Sequence, residues 1–315
     1  MSKTQEIRNK INAKLVAVLE SGETLPWRRP WRLDRNSGVP ANVVSKRAYR
    51  GINPLLLDLA SMKHGFQGRW WGTWNQWKGL GGCVMRRPSG VSEGRWGTTI
   101  VFWSPINKTV KNDDGEESDD RFFVLKSYTV FCIDQVEGSQ LDHLRVGQSV
   151  NDADPMTLVN NYAAAEAAID ATGADIRYGG QRAYYSPSGD FIQLPPASEF
   201  IDAPSRLLTT FHELCHWTEH PSRLNWSRKE KENTYGMGEL VAELGGCYLA
   251  RELRVHADGG IDSTASYLKY WIAAMKGDSG FIFRASSQAS KAADHILSFS
   301  RPKEAVEEPE AALAC

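Results

Sequence analysis

The segment TTFHELCHWTEH at residues 209–220 restricts the possible folds more than any other part of the sequence. Its histidines, His212 and His216, are four residues apart, so on a helix their imidazoles lie on one face, one turn apart. Two imidazoles at this spacing can bind a tetrahedral Zn²⁺ from one side, and Glu213 beside them is placed to act as a general base. The segment therefore predicts a helix over 205–219 whose polar face lines a metal site.

A catalytic zinc bound by two histidines needs a third protein ligand, which is usually a carboxylate. The next predicted helix, at 237–252, contains GELVAEL, in which Glu239 and Glu243 are four residues apart and share a face. We expect Glu239 to be the third ligand and Glu243 to orient a histidine N–H, although the two roles could be exchanged. This E-x-x-A-[DE] form resembles that of gluzincin metallopeptidases. Histidine–carboxylate ligation favours zinc and leaves another divalent metal open.

Two alternatives compete with a catalytic zinc site in this region. The metal could be bound for structure alone, or the domain could be a degenerate peptidase, because residue types do not prove turnover. The helices could also carry ordinary interior histidines and surface glutamates that bind no metal. His220 extends the histidine row by another four residues, and we expect it to pack or to face solvent.

Apolar periodicity and turn residues predict the remaining elements of an α+β protein. We expect helices at 5–20 and 54–63, the second capped by Asn53 with Pro54 at its first position. TTIVFW and RFFVLKSYTVF are typical of a hairpin, and the acidic KNDDGEESDD between them of a solvated loop. A second hairpin, AYYSPSGDFIQLP, precedes the histidine helix, and its strand DFIQLP could pair with an extended peptide by β-augmentation.

Charge and tryptophan are concentrated in the first part of the chain. Residues 1–110 contain 18 Lys and Arg against 6 Asp and Glu, and eight of the eleven tryptophans. Unpaired bases stack on aromatic rings while arginines neutralise phosphates, so this composition indicates binding to single-stranded DNA. Such tryptophans can equally form a small core, but a core does not require the excess of positive charge. The candidate contacts are Trp27, Arg28, Arg29, Trp31, Arg32, Arg47, Arg50, Trp74, Trp77, Arg86 and Arg87.

The rest of the composition excludes several protein classes. No run of 18 apolar residues is present, so we expect no membrane span, and the polar N-terminus lacks an apolar signal core. Five cysteines without a CxxC pair do not fit a disulfide framework or a cysteine zinc knuckle. We therefore expect a cytoplasmic protein.

The sequence resembles ArdC-type antirestriction proteins, also called polyvalent proteins, and the N-terminal part of TraC-type primases. In the first half the resemblance rests on LPWRRPW, PANVVSKRAYRGIN, WGTWNQWKGLGGCVMR, VFWSP and YTVFCIDQ. In the second half it rests on AYYSPSGDFIQLPP, FHELCHWTEHPSRLN, YGMGELVAELGG and RASSQASKAADHIL. It implies a small α+β domain that binds single-stranded DNA, followed by a mainly helical zincin-like (gluzincin) metallopeptidase domain with a small β-sheet.

The resemblance also implies functional residues, and the composition of the chain suggests domain boundaries. Tyr49 and Asn53 join Arg47 and Arg50 as candidate DNA contacts in the R-x-Y-R-G-x-N segment, and the protein would protect incoming DNA from host restriction. We expect the division 1–136 for the DNA-binding domain, 137–155 for a linker, 156–301 for the peptidase-like domain and 302–315 for a disordered tail. The substrate of the peptidase would be a host defence protein, or the domain would cleave nothing. The alternatives are a non-catalytic protein that shields DNA and a primase-associated DNA-binding protein.

Overall fold

The computed structural model describes residues 2–22, 34–111, 117–147, 155–226, 234–255 and 264–301. Helices and strands are mixed, as the predicted α+β class requires. The helices are α1 Lys3–Ser21, α2 Asn53–His64, α3 Trp74–Gly79, α4 Pro155–Ala171, α5 Ala203–Trp217, α6 Thr234–Glu252, α7 Thr264–Gly277 and α8 Phe281–Ser298. The strands are β1 Ala41–Asn42, β2 Trp70–Gly72, β3 Cys83–Val84, β4 Thr98–Lys111, β5 Glu117–Cys132, β6 Val136–Glu137, β7 Asp175–Tyr178, β8 Tyr184–Ser186 and β9 Phe191–Leu194.

Local sequence signals set several helix ends. The Ser2 hydroxyl accepts a hydrogen bond from the Gln5 amide at the start of α1, and the Asp202 carboxylate accepts one from the Ser205 amide before α5. Thr73 and Gln76 form a capping box at α3. Gly65 ends α2 in the left-handed conformation, with φ 72°. The prediction that Asn53 caps α2 is wrong, because its side chain exchanges two hydrogen bonds with the main chain of Val101 instead.

The strands form three sheets. The first has the order β1-β2-β5-β4, the second pairs β3 with β6, and the third has the order β7-β9-β8. Strands β4 and β5 are the predicted hairpin, and they are longer than expected: β4 runs to Lys111 and β5 begins at Glu117, inside the segment predicted as an acidic loop.

The predicted linker at 137–155 is partly folded. Its first residue belongs to β6, and a 3-10 helix at Ser139–Leu144 follows directly. Leu141 and Leu144 are buried against the core of the first half. Within the described residues, the first part of the predicted linker, up to at least Leu144, therefore belongs to the N-terminal fold.

Two hydrophobic cores hold the molecule together. The smaller core lies around the first sheet, with Trp71, Trp77 and Ile133 fully buried. The larger one joins the two halves: Leu15 of α1 and Leu55 of α2 are in the same cluster as Phe211 of α5 and Leu240 of α6. The N-terminal helix thus contributes to the core that supports the histidine helix. None of the helices in the described part of the chain is long and apolar enough to cross a lipid bilayer.

Candidate metal centre

Helix α5 presents the two histidines on one face. Its opposite face is buried through Leu207, Phe211 and Leu214, and this burial fixes the rotation of the helix about its axis. The centroids of the His212 and His216 rings are 5.0 Å apart. The predicted helix and the predicted pairing of its histidines are therefore both present in the structure.

Helix α6 brings Glu239 to both imidazoles. One carboxylate oxygen of Glu239 is 3.5 Å from Nε2 of His212, and the other is 3.6 Å from Nε2 of His216. One ligand atom from each of the three residues can be chosen so that all lie within 4.8 Å of one another. The three side chains are only 14–17% exposed. The structure thus places Glu239, the expected third ligand, at the two histidines.

Glu243 lies one turn further along α6 and is buried, with 4% exposure. Among the described residues, the cluster that could hold a metal comprises His212, His216 and Glu239, and Glu243 is outside it. The carboxylate found beside a histidine Nδ1 is that of Glu219, 3.4 Å from Nδ1 of His216. Sequence reasoning missed Glu219, although its position three residues after His216 is a helical contact spacing. The role of Glu243 in orienting a histidine stays a prediction.

Glu213, the predicted base, is buried beside the two histidines with 7% exposure. Burial raises the pKa of its carboxyl group, and the charge of Glu239 adds to this. The two histidines, and to a smaller extent the nearby main-chain N–H of Tyr185, act in the opposite direction and lower the pKa. Strand β8, which carries Tyr185, therefore lies beside the centre.

The charge balance of the centre suits a cation. Burial lowers the pKa of His216, but Glu219, Glu213 and Glu239 together outweigh this and leave the pKa raised. Three carboxylates thus surround two imidazoles in a mostly buried region, and negative charge of this kind needs a positive partner. Two imidazole nitrogens and one carboxylate are the donor set of a catalytic zinc site, so the residues fit a divalent ion.

Two adjacent glycines allow α6 to approach α5 closely. A Cβ on Gly245 would lie 2.5 Å from Sγ of Cys215, which is too close for any real contact. A Cβ on Gly246 would lie 3.5 Å from the main-chain nitrogen of His212, which is ordinary contact. Gly245 is therefore required at this helix crossing, and the crossing sets the distance between Glu239 and the histidines.

The prediction that strand DFIQLP pairs with a peptide is wrong. The strand at 191–194 is β9, and it lies in the middle of its sheet with β7 on one side and β8 on the other. Both of its main-chain edges are already paired. The strands at the sheet edges are β7 and β8, and β8 is the one that packs against the histidine helix α5.

The predicted DNA contacts divide into exposed and buried residues. Trp74 is 51% exposed, and Arg47, Arg86 and Arg87 are also exposed. The side-chain amide of Asn42 donates to Oε1 of Gln76 over 3.1 Å, so the loop that carries Arg47 is tied to α3, which carries Trp74. Five further predicted contacts lie outside the described residues: Trp27, Arg28, Arg29, Trp31 and Arg32.

Three predicted DNA contacts are buried in the protein. Trp77 is fully buried and its indole N–H donates to the main-chain oxygen of Phe131. Tyr49 is 6% exposed, and burial raises the pKa of its phenol to about 12. Asn53 is bonded to the main chain of Val101. The prediction that these side chains contact DNA is therefore wrong: their surfaces are used inside the fold.

Arg50 is exposed, but it links the two halves of the molecule. Its guanidinium pairs with Asp294 of α8 at 2.9 Å and with Glu252 at the end of α6 at 3.5 Å. The neighbouring Gly51 accepts a hydrogen bond from the Tyr248 hydroxyl and donates one to the Ser290 hydroxyl. In this structure the segment at 49–53 is an interface with α6 and α8, and a DNA contact by the exposed Arg50 stays a prediction.

Sequence reasoning missed Lys46 as a member of the exposed basic surface. Its ammonium lies 4.6 Å from the centre of the Trp70 ring, whose other neighbour is the Arg69 guanidinium at 5.2 Å. Lys46 has a left-handed backbone, with φ 59°. No local pattern marks this conformation in a lysine, so only its position next to Arg47 could have suggested it.

Two family models match the chain. The model of the N-terminal domain of anti-restriction factor ArdC matches residues 5–131, and that of a zincin-like metallopeptidase matches residues 163–288. The uncharacterized protein y4eC of Sinorhizobium fredii is 30% identical over 296 residues, which cover 92% of this chain and 91% of that protein. The DNA primase TraC of Escherichia coli is 32% identical over 91% of this chain, but the match covers only 26% of the primase.

Solved structures of the antirestriction protein ArdC from plasmid R388 share the fold over its full length. The metal-free form is 34% identical with a TM-score of 0.72, covering 93% of this chain and 97% of that one. The Mn(II)-bound form is 33% identical with a TM-score of 0.68, covering 94% and 99%. A zincin-like domain implies a divalent metal, in agreement with the cluster on α5 and α6. The chain belongs to the ArdC family of antirestriction proteins.

Proposed function

We propose that this protein binds single-stranded DNA through its N-terminal half and protects incoming DNA of a mobile element from host restriction. In this proposal the second half is a metallopeptidase that acts on a host defence protein. The observation that carries the enzymatic part is the convergence of His212, His216 and Glu239 around a buried Glu213. Family membership supports the antirestriction part.

His212, His216 and Glu239 would hold the metal, which we propose to be Zn²⁺. The R388 protein has a Mn(II)-bound form, so another divalent ion can occupy a site of this family. A bound divalent cation polarises a substrate carbonyl and makes a water easier to deprotonate. Glu213 would accept that proton on its carboxylate and deliver it to the leaving amine. Glu219 would orient His216 through Nδ1.

The N-terminal half would hold DNA on the surface formed by the loop at 43–47 and α3. Trp74 supplies an exposed indole for stacking on a base, and Lys46 and Arg47 supply positive charge on the adjacent loop. Arg86 and Arg87 would neutralise further phosphates. Trp27, Arg28, Arg29, Trp31 and Arg32 stay predicted contacts. Because base faces are hidden in a duplex, single strands should compete better than duplex DNA for this surface.

A non-catalytic protein that shields DNA is the second candidate function. The matching region makes up 26% of the DNA primase TraC, and this favours a role in handling single strands that does not require peptide cleavage. In that case the metal centre would be a structural part of the fold, or the protein would be associated with a primase.

Glu213→Gln separates the two functions. It keeps the size of the side chain and removes the base, so we expect the variant to bind metal and single-stranded DNA as the wild type does. If the protein acts as a peptidase, transfer of unmodified DNA into a restricting host should fall to the level seen without the protein. Protection at the wild-type level in Glu213→Gln, with metal bound, would instead favour the shielding function.

A further inference from the structure

Two positively charged side chains lie over the indole ring of Trp70. The Lys46 ammonium is 4.6 Å from the centre of the ring, and the Arg69 guanidinium is 5.2 Å from it. The two positive groups are therefore within about 10 Å of each other, which is the Debye length at 0.1 M salt. An anion that approaches this ring is attracted by both groups.

Neither of these two cations is neutralised by a contact with an acid. In the described part of the chain, no carboxylate lies within 4.0 Å of the Lys46 ammonium or the Arg69 guanidinium. The Nε atom of Arg69 is buried and has no hydrogen-bond partner among the described residues. Burial lowers the pKa of Lys46 and is the largest cause that lowers the pKa of Arg69. A cation that has lost water without gaining a carboxylate is stabilised by a bound anion.

The carboxylate of Glu252, at the end of α6, is shared among several arginines. It opposes the effect of burial on the pKa of Arg69, and the charge of Arg254 acts against it. Glu252 itself is 3.3 Å from Arg301 and 3.5 Å from Arg50. Positive charge therefore exceeds negative charge among these side chains.

The Trp70 ring between the cations is held in one orientation. Its N–H donates to Oδ1 of Asn36 over 2.9 Å. Asn36 is 3% exposed, and its side-chain amide donates to the main-chain oxygens of His143 and Arg145. The main-chain N–H of Arg69 donates to the main-chain oxygen of Asn36 over 2.7 Å. The ring is thus a fixed platform for the two charged groups.

Asn42 holds the backbone of Lys46 in place. Its Oδ1 accepts hydrogen bonds from the main-chain N–H groups of Val44 and Ser45, each over 3.0 Å. Its main-chain oxygen accepts one from the Lys46 N–H over 2.9 Å. The φ of 59° at Lys46 is unfavourable for a residue other than glycine. Because strained backbone tends to occur at functional sites, a lysine here indicates a role for its side chain.

We propose that Lys46 and Arg69 form one site that binds the phosphate backbone of single-stranded DNA. The inference rests on the proposed DNA binding by this half and deepens it by naming a phosphate site. A guanidinium offers a planar set of N–H donors and an ammonium a compact charge, and both suit phosphate oxygens. The side-chain amide of Asn42 also donates to Gln76 of α3. A base stacked on Trp74 and a phosphate at this site would therefore belong to one strand.

Fluorescence anisotropy with a labelled oligothymidylate of about 16 nucleotides tests this site. Lys46→Gln and Arg69→Gln should each weaken binding several-fold. Each should also reduce the slope of log K against log salt concentration by about 0.7, the value of one phosphate contact to a single strand. Arg69→Lys keeps the charge, so it should keep the slope and lose only part of the affinity.

Lys46→Gly separates DNA binding from folding. Glycine adopts a φ of 59° without strain, so this variant should unfold at a higher temperature than Lys46→Gln and bind the oligonucleotide as weakly. A purely structural role of Lys46 would leave the affinity of both variants at the wild-type value. Lys269→Gln is the matched control, because Lys269 is exposed on α7 in the second half, and it should change neither slope nor affinity.

Inorganic phosphate, added at an ionic strength matched with chloride, distinguishes a free phosphate from the DNA backbone as the occupant. A single phosphate lacks the neighbouring contacts, so it should displace the oligonucleotide only far above the Kd of the DNA. Displacement near that Kd would overturn the assignment to DNA.

The site is also overturned if Lys46→Gln and Arg69→Gln keep the salt slope of the wild type, or if Lys269→Gln changes the slope as much as they do. A wild-type protein that binds no oligonucleotide at low salt would instead refute the DNA-binding function itself. The two failures are therefore distinguishable.

Discussion

Trp74 and Trp77 lie three residues apart on the short helix α3 and have opposite environments. Trp74 is 51% exposed, with the edge of its ring near Phe131 at 6.2 Å between centroids. Trp77 is fully buried and hydrogen-bonded. The pair therefore separates an effect on DNA binding from an effect on folding within one helix.

Alanine substitution of each tryptophan should give opposite results. Trp74→Ala should weaken binding of a fluorescent single-stranded oligonucleotide by about 1–3 kcal/mol, the usual contribution of a stacked base. It should leave the free energy of unfolding nearly unchanged. Trp77→Ala should destabilise the protein by about 3–5 kcal/mol in urea unfolding, because it empties part of the core. Equal DNA affinity of Trp74→Ala and wild type would remove α3 from the DNA surface.

The sequence could predict the residues of the centre that follow one helix period, but not those that depend on tertiary contacts. His212, His216 and Glu239 follow from i, i+4 spacing and from the ligand needs of zinc. The position of Tyr185 beside Glu213 requires the placement of a strand residue that stands 28 positions earlier in the chain. Tyr49 and Trp77 fit a DNA surface in composition, and only packing shows that they are core residues.

The crossing of α5 and α6 is the element that fixes the metal ligands. Glu239 is on one helix and both histidines are on the other, so any change in the separation of the helices moves the third ligand. Cys215 and Gly245 meet at the crossing, with Gly246 beside them against the main chain of His212.

Gly245→Ala should separate the helices and weaken metal binding. We expect a loss of about 1–3 kcal/mol in the free energy of unfolding, as is usual for overpacking, together with lower metal affinity by calorimetry. Gly246→Ala is the matched control, because its Cβ makes ordinary contacts, and it should be neutral or stabilising. Adding Cys215→Ala to Gly245→Ala should restore much of the loss. No rescue by Cys215→Ala would show that the contact with sulfur is not the cause.

At the element scale, most helices were predictable because periodicity and caps are local signals. The order of the strands in the sheets was less predictable. Strand β7 at 175–178 pairs in parallel with β9 at 191–194, although β8 lies between them in the sequence. No local sequence pattern indicates such a pairing. The position of β9 at the centre of its sheet, which excludes peptide pairing there, follows from that missed strand.

At the scale of the whole molecule, a buried ion pair joins the two halves. Asp58 of α2 pairs with Arg251 of α6, and both side chains are at most 5% exposed. Both helices of this pair, α2 and α6, contribute residues to the shared core. The charge asymmetry of the sequence predicted two functional halves, but it carries no information on packing between them, so the joint core could not be foreseen.

Asp58→Asn should destabilise the whole protein and not one half alone. It leaves Arg251 buried beside a neutral partner, at a cost of about 3–5 kcal/mol. Because the halves share a core, the wild type and Asp58→Asn should each unfold in a single transition. Tryptophan fluorescence and circular dichroism should report the same midpoint for that transition. The double variant Asp58→Leu/Arg251→Met, which replaces the pair by apolar side chains, should regain stability. Two separate transitions, with only the first shifted, would contradict a shared core.

Titration calorimetry with Zn²⁺ and Mn²⁺ on metal-free protein tests the central claim most directly, using Glu239→Gln and Glu243→Gln as a matched pair on α6. The account predicts one ion per wild-type chain, at least about tenfold weaker binding in Glu239→Gln, and unchanged stoichiometry in Glu243→Gln. Binding that is unaffected by Glu239→Gln, or a wild-type protein that takes up neither ion, would contradict it.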